Sequence, residues 1–157
     1  MEEKIPIGDS IYQKLKEEER SIAWLSGKVY CSHNTLCDIL KRDHLVNTDL
    51  LLRISKILKH DFFAYYSAFL EEQCLSVVRE TNIEEKKEIL IGNLIHEKLE
   101  EEKRSVAWLA RKVHPKYDTF YKILKQDHID TMLLLHISNI LKYDFFVHYS
   151  ALLKKTP

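Results

Sequence analysis

The sequence has few of the residues that interrupt helices. Only three glycines and three prolines occur in 157 residues. Hydrophobic residues instead recur at spacings of three and four along most of the chain, which places them on one face of a helix. Scarce glycine and proline together with a helical period predict an all-α fold.

Long hydrophobic runs are also missing. No stretch approaches the roughly 20 apolar residues that a membrane-spanning helix needs. The charged start MEEK is not followed by the apolar segment that a signal peptide requires. We therefore expect no membrane partner and a cytoplasmic location.

The sequence lacks the motifs of common catalytic and cofactor sites. It has no nucleophile elbow, no glycine-rich phosphate loop and no HExxH pair. Its cysteines, Cys31, Cys37 and Cys74, are odd in number, and a site made of Cys31, His33 and Cys37 would lack the fourth ligand that zinc usually takes. We expect free thiols, no metal, no cofactor and no enzymatic activity.

The chain contains an internal repeat. Residues 20–42, RSIAWLSGKVYCSHNTLCDILKR, are matched by residues 104–126, RSVAWLARKVHPKYDTFYKILKQ. An offset of 84 aligns the copies as far as Leu45 and Ile129, and an offset of 83 aligns them afterwards, because the first copy has one extra residue near Val46. The repeat predicts two small units, at 5–72 and 88–155. Residues 73–87 lack proline and glycine, which predicts an ordered linker.

Two amphipathic helices follow each other closely in each repeat. In the second repeat one apolar stripe is formed by Val106, Leu109, Ala110 and Val113, and the next by Phe120, Ile123 and Leu124. So short a connection makes the helices cross steeply over a shared core, which is typical of a helix-turn-helix.

The complete repeat predicts five helices. In the first copy these cover about 7–19, 21–29 and 33–41, and a fourth and a fifth helix follow. Side chains that can accept hydrogen bonds from the first turn favour helix starts. The expected N-caps are Ser32, Ser105, Thr48 and Asp61.

A set of short motifs occurs in the same order in both halves, including IG, RS, AWL, KV, LLL, IS, IL and DFF. The set resembles the helix-turn-helix domain of phage repressor and Cro-like (XRE-type) regulators, especially short regulators of the Bacteroides type. The resemblance implies an all-α chain of two tandem five-helix repressor-like helix-turn-helix units. It also implies a sequence-specific transcriptional regulator whose partner is double-stranded DNA.

The same resemblance implies which residues contact DNA. In that family the third helix of a unit enters the major groove, and the first, second and sixth residues after its N-cap contact bases. In this sequence those positions are His33, Asn34 and Asp38 in the first unit and Tyr117, Asp118 and Lys122 in the second. The other residues expected at the DNA surface are Ser32, Thr35, Lys41, Arg42, Lys116, Thr119, Tyr121 and Lys125.

Charge leaves a second function open. The chain has 24 basic and 24 acidic residues, whereas non-specific DNA affinity comes mainly from an excess of basic groups. Residues 104–126 do carry six basic side chains and one acidic one, and residues 20–42 carry four and one. A protein-interaction module that has lost DNA readout is therefore the alternative, favoured by Asp38 and Asp118.

Aromatic residues predict contacts beyond the local core. Trp24 and Trp108 lie away from the apolar stripes of their helices, so they contact either another unit or chain, or a neighbouring helix of their own unit. The aromatic fifth helices serve the local core and also expose apolar surface. They join either the two units as an intrachain pseudo-dimer or two chains as a homodimer. The expected interface residues are Trp24, Trp108, Phe62, Tyr66, Phe145 and Tyr149.

Overall fold

The structure is a computed structural model that describes residues 7–41, 46–73, 90–113, 117–126 and 128–154. Over these ranges it contains ten helices and one isolated antiparallel bridge, which confirms the all-α prediction. The helices are α1 (Ile7–Glu17), α2 (Ile22–Lys28), α3 (His33–Lys41), α4 (Thr48–Leu58), α5 (Phe63–Gln73), α6 (Ile91–Glu101), α7 (Val106–Val113), α8 (Tyr117–Leu124), α9 (Thr131–Leu141) and α10 (Phe146–Lys154). None of them is long and apolar enough to cross a membrane. The predicted linker at 73–87 lies outside the described ranges except for Gln73, the last residue of α5.

The first three helices of each repeat pack on one another. Helix α1 buries Ile7, Ile11 and Leu15, spaced four residues apart, and contacts α3. Helix α2 contacts both α3 and α4. In the second repeat α6 contacts α8, while α7 contacts α8 and α9. The helical spacing of the apolar residues therefore lets α3 and α8 each pack one face against the neighbouring helices.

Serine side chains cap several of these helices. The Ser32 Oγ accepts a hydrogen bond from the Thr35 backbone N–H at 3.1 Å. The Ser105 Oγ accepts one from the Trp108 backbone N–H at 3.0 Å. Both predicted caps are confirmed, because a cap depends only on residues three apart in the chain.

The predicted cap at Thr48 is wrong. Asn47 caps α4 instead, and its Oδ1 accepts a hydrogen bond from the Leu50 N–H at 2.8 Å. The Thr48 side chain is fully buried, and its Oγ1 accepts a hydrogen bond from the Ile129 N–H at 3.1 Å. The Thr48 hydroxyl, which was expected to cap α4, therefore accepts a hydrogen bond from the other repeat instead.

A short bridge joins the starts of α4 and α9. The Thr48 N–H donates to the Ile129 carbonyl at 2.8 Å, and the Thr131 N–H donates to the Val46 carbonyl at 3.1 Å. The symmetry of these bonds aligns Val46 with Ile129 and Thr48 with Thr131, so the offset of 83 already applies at Val46. Each copy therefore donates one of these hydrogen bonds to the other copy, and the donors and acceptors stand at equivalent positions.

Helices α5 and α10 contact each other along their aromatic faces. Phe63 stacks on Tyr149 with ring centroids 4.7 Å apart, and Tyr66 stacks on Phe146 at 4.6 Å. These pairs also exchange equivalent positions of the repeat. The Tyr66 hydroxyl donates to the Thr131 Oγ1 at 3.0 Å, which ties the aromatic contact to the bridge.

The predicted interface aromatics differ in what they touch. Tyr66 and Tyr149 lie in the α5–α10 stacks. Phe62 and Phe145 are buried, and their ring partners belong to their own repeats, with His60 4.7 Å from Phe62 and Tyr143 4.8 Å from Phe145. Phe63 and Phe146, which the sequence prediction omitted, supply the other ring of each stack.

A histidine–tyrosine pair closes the turn before each last helix. His60 Nε2 lies 3.3 Å from the Tyr65 hydroxyl. In the second repeat the same two positions hold Tyr143 and His148, whose hydroxyl and Nε2 are 2.8 Å apart. The hydrogen-bonded pair is kept in both copies although its members have exchanged places.

Candidate nucleic-acid interface

Helix α3 has a buried face and a polar face. Leu36 and Ile39 are buried and anchor the helix to its neighbours. The predicted DNA-contacting residues of this helix are exposed, namely Ser32, His33, Asn34, Thr35, Asp38 and Lys41. The apolar spacing thus leaves a row of polar side chains free to meet a ligand, while Arg42 lies outside the described ranges.

Local bonds engage part of this polar row. The Ser32 hydroxyl caps the helix and donates to the Thr35 Oγ1 at 2.7 Å. The His33 ring lies 3.7 Å from the Cys37 sulfur. These contacts hold the first turn of α3 in place, so that the neighbouring Asn34 amide projects from a fixed backbone.

Helix α8 repeats this arrangement with different side chains. Phe120 and Leu124 are buried. Thr119, Tyr121 and Lys122 are exposed on the helix, and Lys125 is exposed just beyond its end, with its Nζ 4.6 Å from the centre of the Tyr121 ring. Tyr117 and Asp118 form the first turn of α8, but their side chains lie outside what the structure describes, as does all of Lys116.

The two predicted DNA-contacting sets lie on separate helices. The α3 set belongs to the packing group of α1 and α2, and the α8 set belongs to that of α6 and α7. At one repeat position the sign of the charge reverses, since Asp38 corresponds to Lys122. The two exposed rows therefore offer different hydrogen-bonding and electrostatic partners.

Each tryptophan lies between two basic side chains of its own repeat. The Arg20 guanidinium lies 4.6 Å from the centre of a Trp24 ring, and the Lys28 ammonium lies 6.0 Å away. Arg104 and Lys112 flank Trp108 at 4.7 and 5.9 Å. Both indoles are half-buried against the core, and attraction to their π faces holds the cations in place. A role of Trp24 and Trp108 in an interface between units or chains stays a prediction.

Tyr30 is an exposed residue that sequence reasoning missed. It lies in the turn between α2 and α3, its side chain is 87% exposed, and its φ is 58°. A non-glycine residue in this left-handed region is disfavoured because Cβ approaches the following carbonyl. The available signal was a tyrosine in the turn of the predicted helix-turn-helix, a position where glycine is frequent in that motif.

Replacing Tyr30 by glycine is expected to raise the free energy of unfolding by about 1 kcal/mol, because glycine adopts positive φ without strain. Chemical denaturation measures the change. Tyr12→Gly is the matched control, since Tyr12 is exposed within α1, where glycine costs about 1 kcal/mol relative to alanine. The two variants should shift stability in opposite directions; equal losses would contradict strain at Tyr30.

The described residues offer little for metal or thiol chemistry. Over the described ranges, no group of three histidine, cysteine or acidic residues is arranged to hold a metal ion. Cys31 and Cys37 are free thiols. Burial raises the pKa of the Cys31 thiol, and the nearby Arg53 guanidinium opposes that shift only in part. Cys31 is therefore protonated at neutral pH, whereas nucleophiles and metal ligands need the thiolate.

Comparison of the chain with models of known protein families, with curated proteins and with solved structures finds no match.

Proposed function

We propose that the chain is a sequence-specific DNA-binding transcriptional regulator built from two tandem five-helix, repressor-like helix-turn-helix units. In this proposal α3 and α8 enter the major groove of double-stranded DNA, and the protein acts in the cytoplasm. The observation that carries the proposal is the exposed polar row on each of these helices, opposite a buried apolar face and only a few residues after the preceding helix.

The chemistry of the exposed rows supports base and phosphate contacts. An asparagine amide such as that of Asn34 pairs with adenine through two hydrogen bonds. A lysine such as Lys122 pairs with guanine or a phosphate, and Thr119 adds a hydroxyl donor. A helix of α8's width fits the major groove of B-form DNA.

Charge near α8 supports the proposal further. Arg111 and Lys112 are exposed in the last turn of α7, and Lys122 and Lys125 are exposed on and just after α8. Four basic groups on or next to two consecutive helices concentrate positive charge in a chain whose total charge is zero. Neutralised phosphates release counterions, and this release supplies much of DNA affinity.

A protein-interaction module is the second candidate function. It is favoured by the exposed Asp38, which would repel the phosphate backbone if it faced it. The balanced total charge supports it as well. A partner protein would then be recognised by the same helix faces.

Lys122→Glu separates the two functions. If α8 contacts DNA, the substitution should lower affinity at least tenfold and flatten the salt dependence of binding by about one unit of slope for each lost phosphate contact. Fluorescence anisotropy of random-sequence and genomic duplex fragments at two salt concentrations measures both quantities.

Lys154→Glu provides the matched control for charge. Lys154 is exposed at the end of α10, whose main contacts are with α4 and α5. This variant should keep most of the wild-type affinity. Equal losses in both variants would show only a general charge effect, and an absence of DNA binding by the wild-type chain at low salt would favour the interaction module.

A further inference from the structure

We infer that a single chain occupies one asymmetric DNA site whose two halves differ in sequence, and that the half read by α8 contributes most of the affinity. This inference rests on the proposed DNA-binding function and specifies its substrate. It follows from two features, the contact that joins the repeats and the unequal residues on the two exposed rows.

The contact between the repeats buries the apolar faces of α5 and α10, which could otherwise bind a second chain. Phe63, Tyr66 and Leu70 of α5 are fully or almost fully buried, as are Phe146 and Tyr149 of α10. Both stacks join opposite repeats of the same chain. An apolar face that is already covered gains nothing from a second copy.

Hydrogen bonds fix the orientation of this contact. The Thr131 Oγ1 donates to the Val46 carbonyl at 3.0 Å while it accepts from the Tyr66 hydroxyl. The backbone bonds between Thr48 and Ile129 and between Thr131 and Val46 add a directional constraint at the start of α4 and α9. Helices α2 and α7 contact α4 and α9 respectively, so this constraint extends towards α3 and α8.

The two exposed rows cannot prefer the same half-site. Asp38 and Lys122 share one repeat position, where a carboxylate accepts hydrogen bonds from the cytosine amino group and an ammonium donates to guanine. Asn34 likewise corresponds to Asp118. A palindrome presents one half-site twice, so it satisfies only one of the two helices.

Charge also indicates which half of the DNA site contributes more of the affinity. On and just after α8, the exposed Lys122 and Lys125 stand against Asp118, a net charge of +1, whereas on α3 the exposed Lys41 stands against the exposed Asp38, a net charge of zero. Arg111 and Lys112 precede α8, and their counterparts before α3 are Gly27 and Lys28. The segment before α3 therefore has one basic residue fewer. The α8 half therefore meets more phosphate charge than the α3 half does.

The test begins with selection of the preferred duplex from a random library by the full-length chain. Three duplexes are then compared, namely the selected site and the two palindromes made by duplicating either half. We expect one chain per duplex by light scattering, and at least tenfold weaker binding to either palindrome. The palindrome built from the α8 half should be the tighter of the two.

Two variants assign the halves. Asp38→Asn should change base preference only in one half, and Lys122→Gln should change it only in the other while lowering total affinity more. Two chains bound to a palindrome as tightly as one chain binds the selected site would overturn the inference but leave the proposed function standing. Failure of the wild-type chain to bind any duplex at low salt would overturn both.

Discussion

Replacing Gly92 by alanine is expected to lower the free energy of unfolding by roughly 3 kcal/mol, the upper part of the range for overpacking. A Cβ added at Gly92 would overlap the carbonyl oxygen of Leu124 and would lie 2.8 Å from its carbonyl carbon. The obstacle is backbone, so no side-chain rotation relieves the clash. Helix α6 would have to move away from the end of α8, and chemical denaturation measures the cost.

Gly27→Ala is the matched control for this substitution. Gly27 lies in α2, and a Cβ added there meets no atom within 4 Å. Alanine should therefore raise stability by up to about 1 kcal/mol through helix propensity alone. If Gly92→Ala also raised stability, the close approach of α6 to α8 would be contradicted.

Replacing Tyr66 by alanine is expected to lower the free energy of unfolding by roughly 3–5 kcal/mol, the usual cost of truncating a buried aromatic residue. Tyr66 is 1% exposed, it stacks on Phe146, and its hydroxyl donates to Thr131. The loss therefore combines a cavity with a broken contact between the repeats. Thermal or chemical unfolding followed by circular dichroism measures it.

Tyr66→Phe separates the ring from the hydroxyl. The phenylalanine keeps the stack on Phe146 and loses only the hydrogen bond to Thr131, a change of about 1 kcal/mol. A Tyr66→Phe loss as large as that of Tyr66→Ala would show that the hydroxyl, and not the stacked ring, dominates this contact.

Local signals in the sequence predicted local structure well. The caps at Ser32 and Ser105 depend on residues three apart, and α3 has the predicted bounds. Thr48 was predicted wrongly because its partner Ile129 is 81 residues away in the chain. A cap residue and a buried cross-repeat donor or acceptor look alike when only neighbouring residues are considered.

In the candidate site, too, the sequence predicted the features that depend on neighbouring residues and missed those that depend on packing. Apolar spacing predicted which faces of α3 and α8 are buried, and therefore which residues are exposed. It gave no sign that Tyr30 has a positive φ, because backbone geometry in a turn depends on how the flanking helices pack. It also missed Phe63 and Phe146, since aromatics cover nearly every face of α5 and α10 and periodicity cannot choose among them.

The contact between the two repeats within one chain affects how binding should depend on protein concentration. Two modules joined in one molecule meet at an effective concentration set by their connection and not by how many molecules are present. A regulator that must first pair with a second copy loses its active form steeply on dilution, as the square of its concentration. This chain keeps its α5–α10 contact however dilute it is. If it binds DNA as proposed, occupancy of its site should follow expression level in simple proportion at low dose. On the proposed function, the chain would therefore act as a graded regulator and not as a threshold switch.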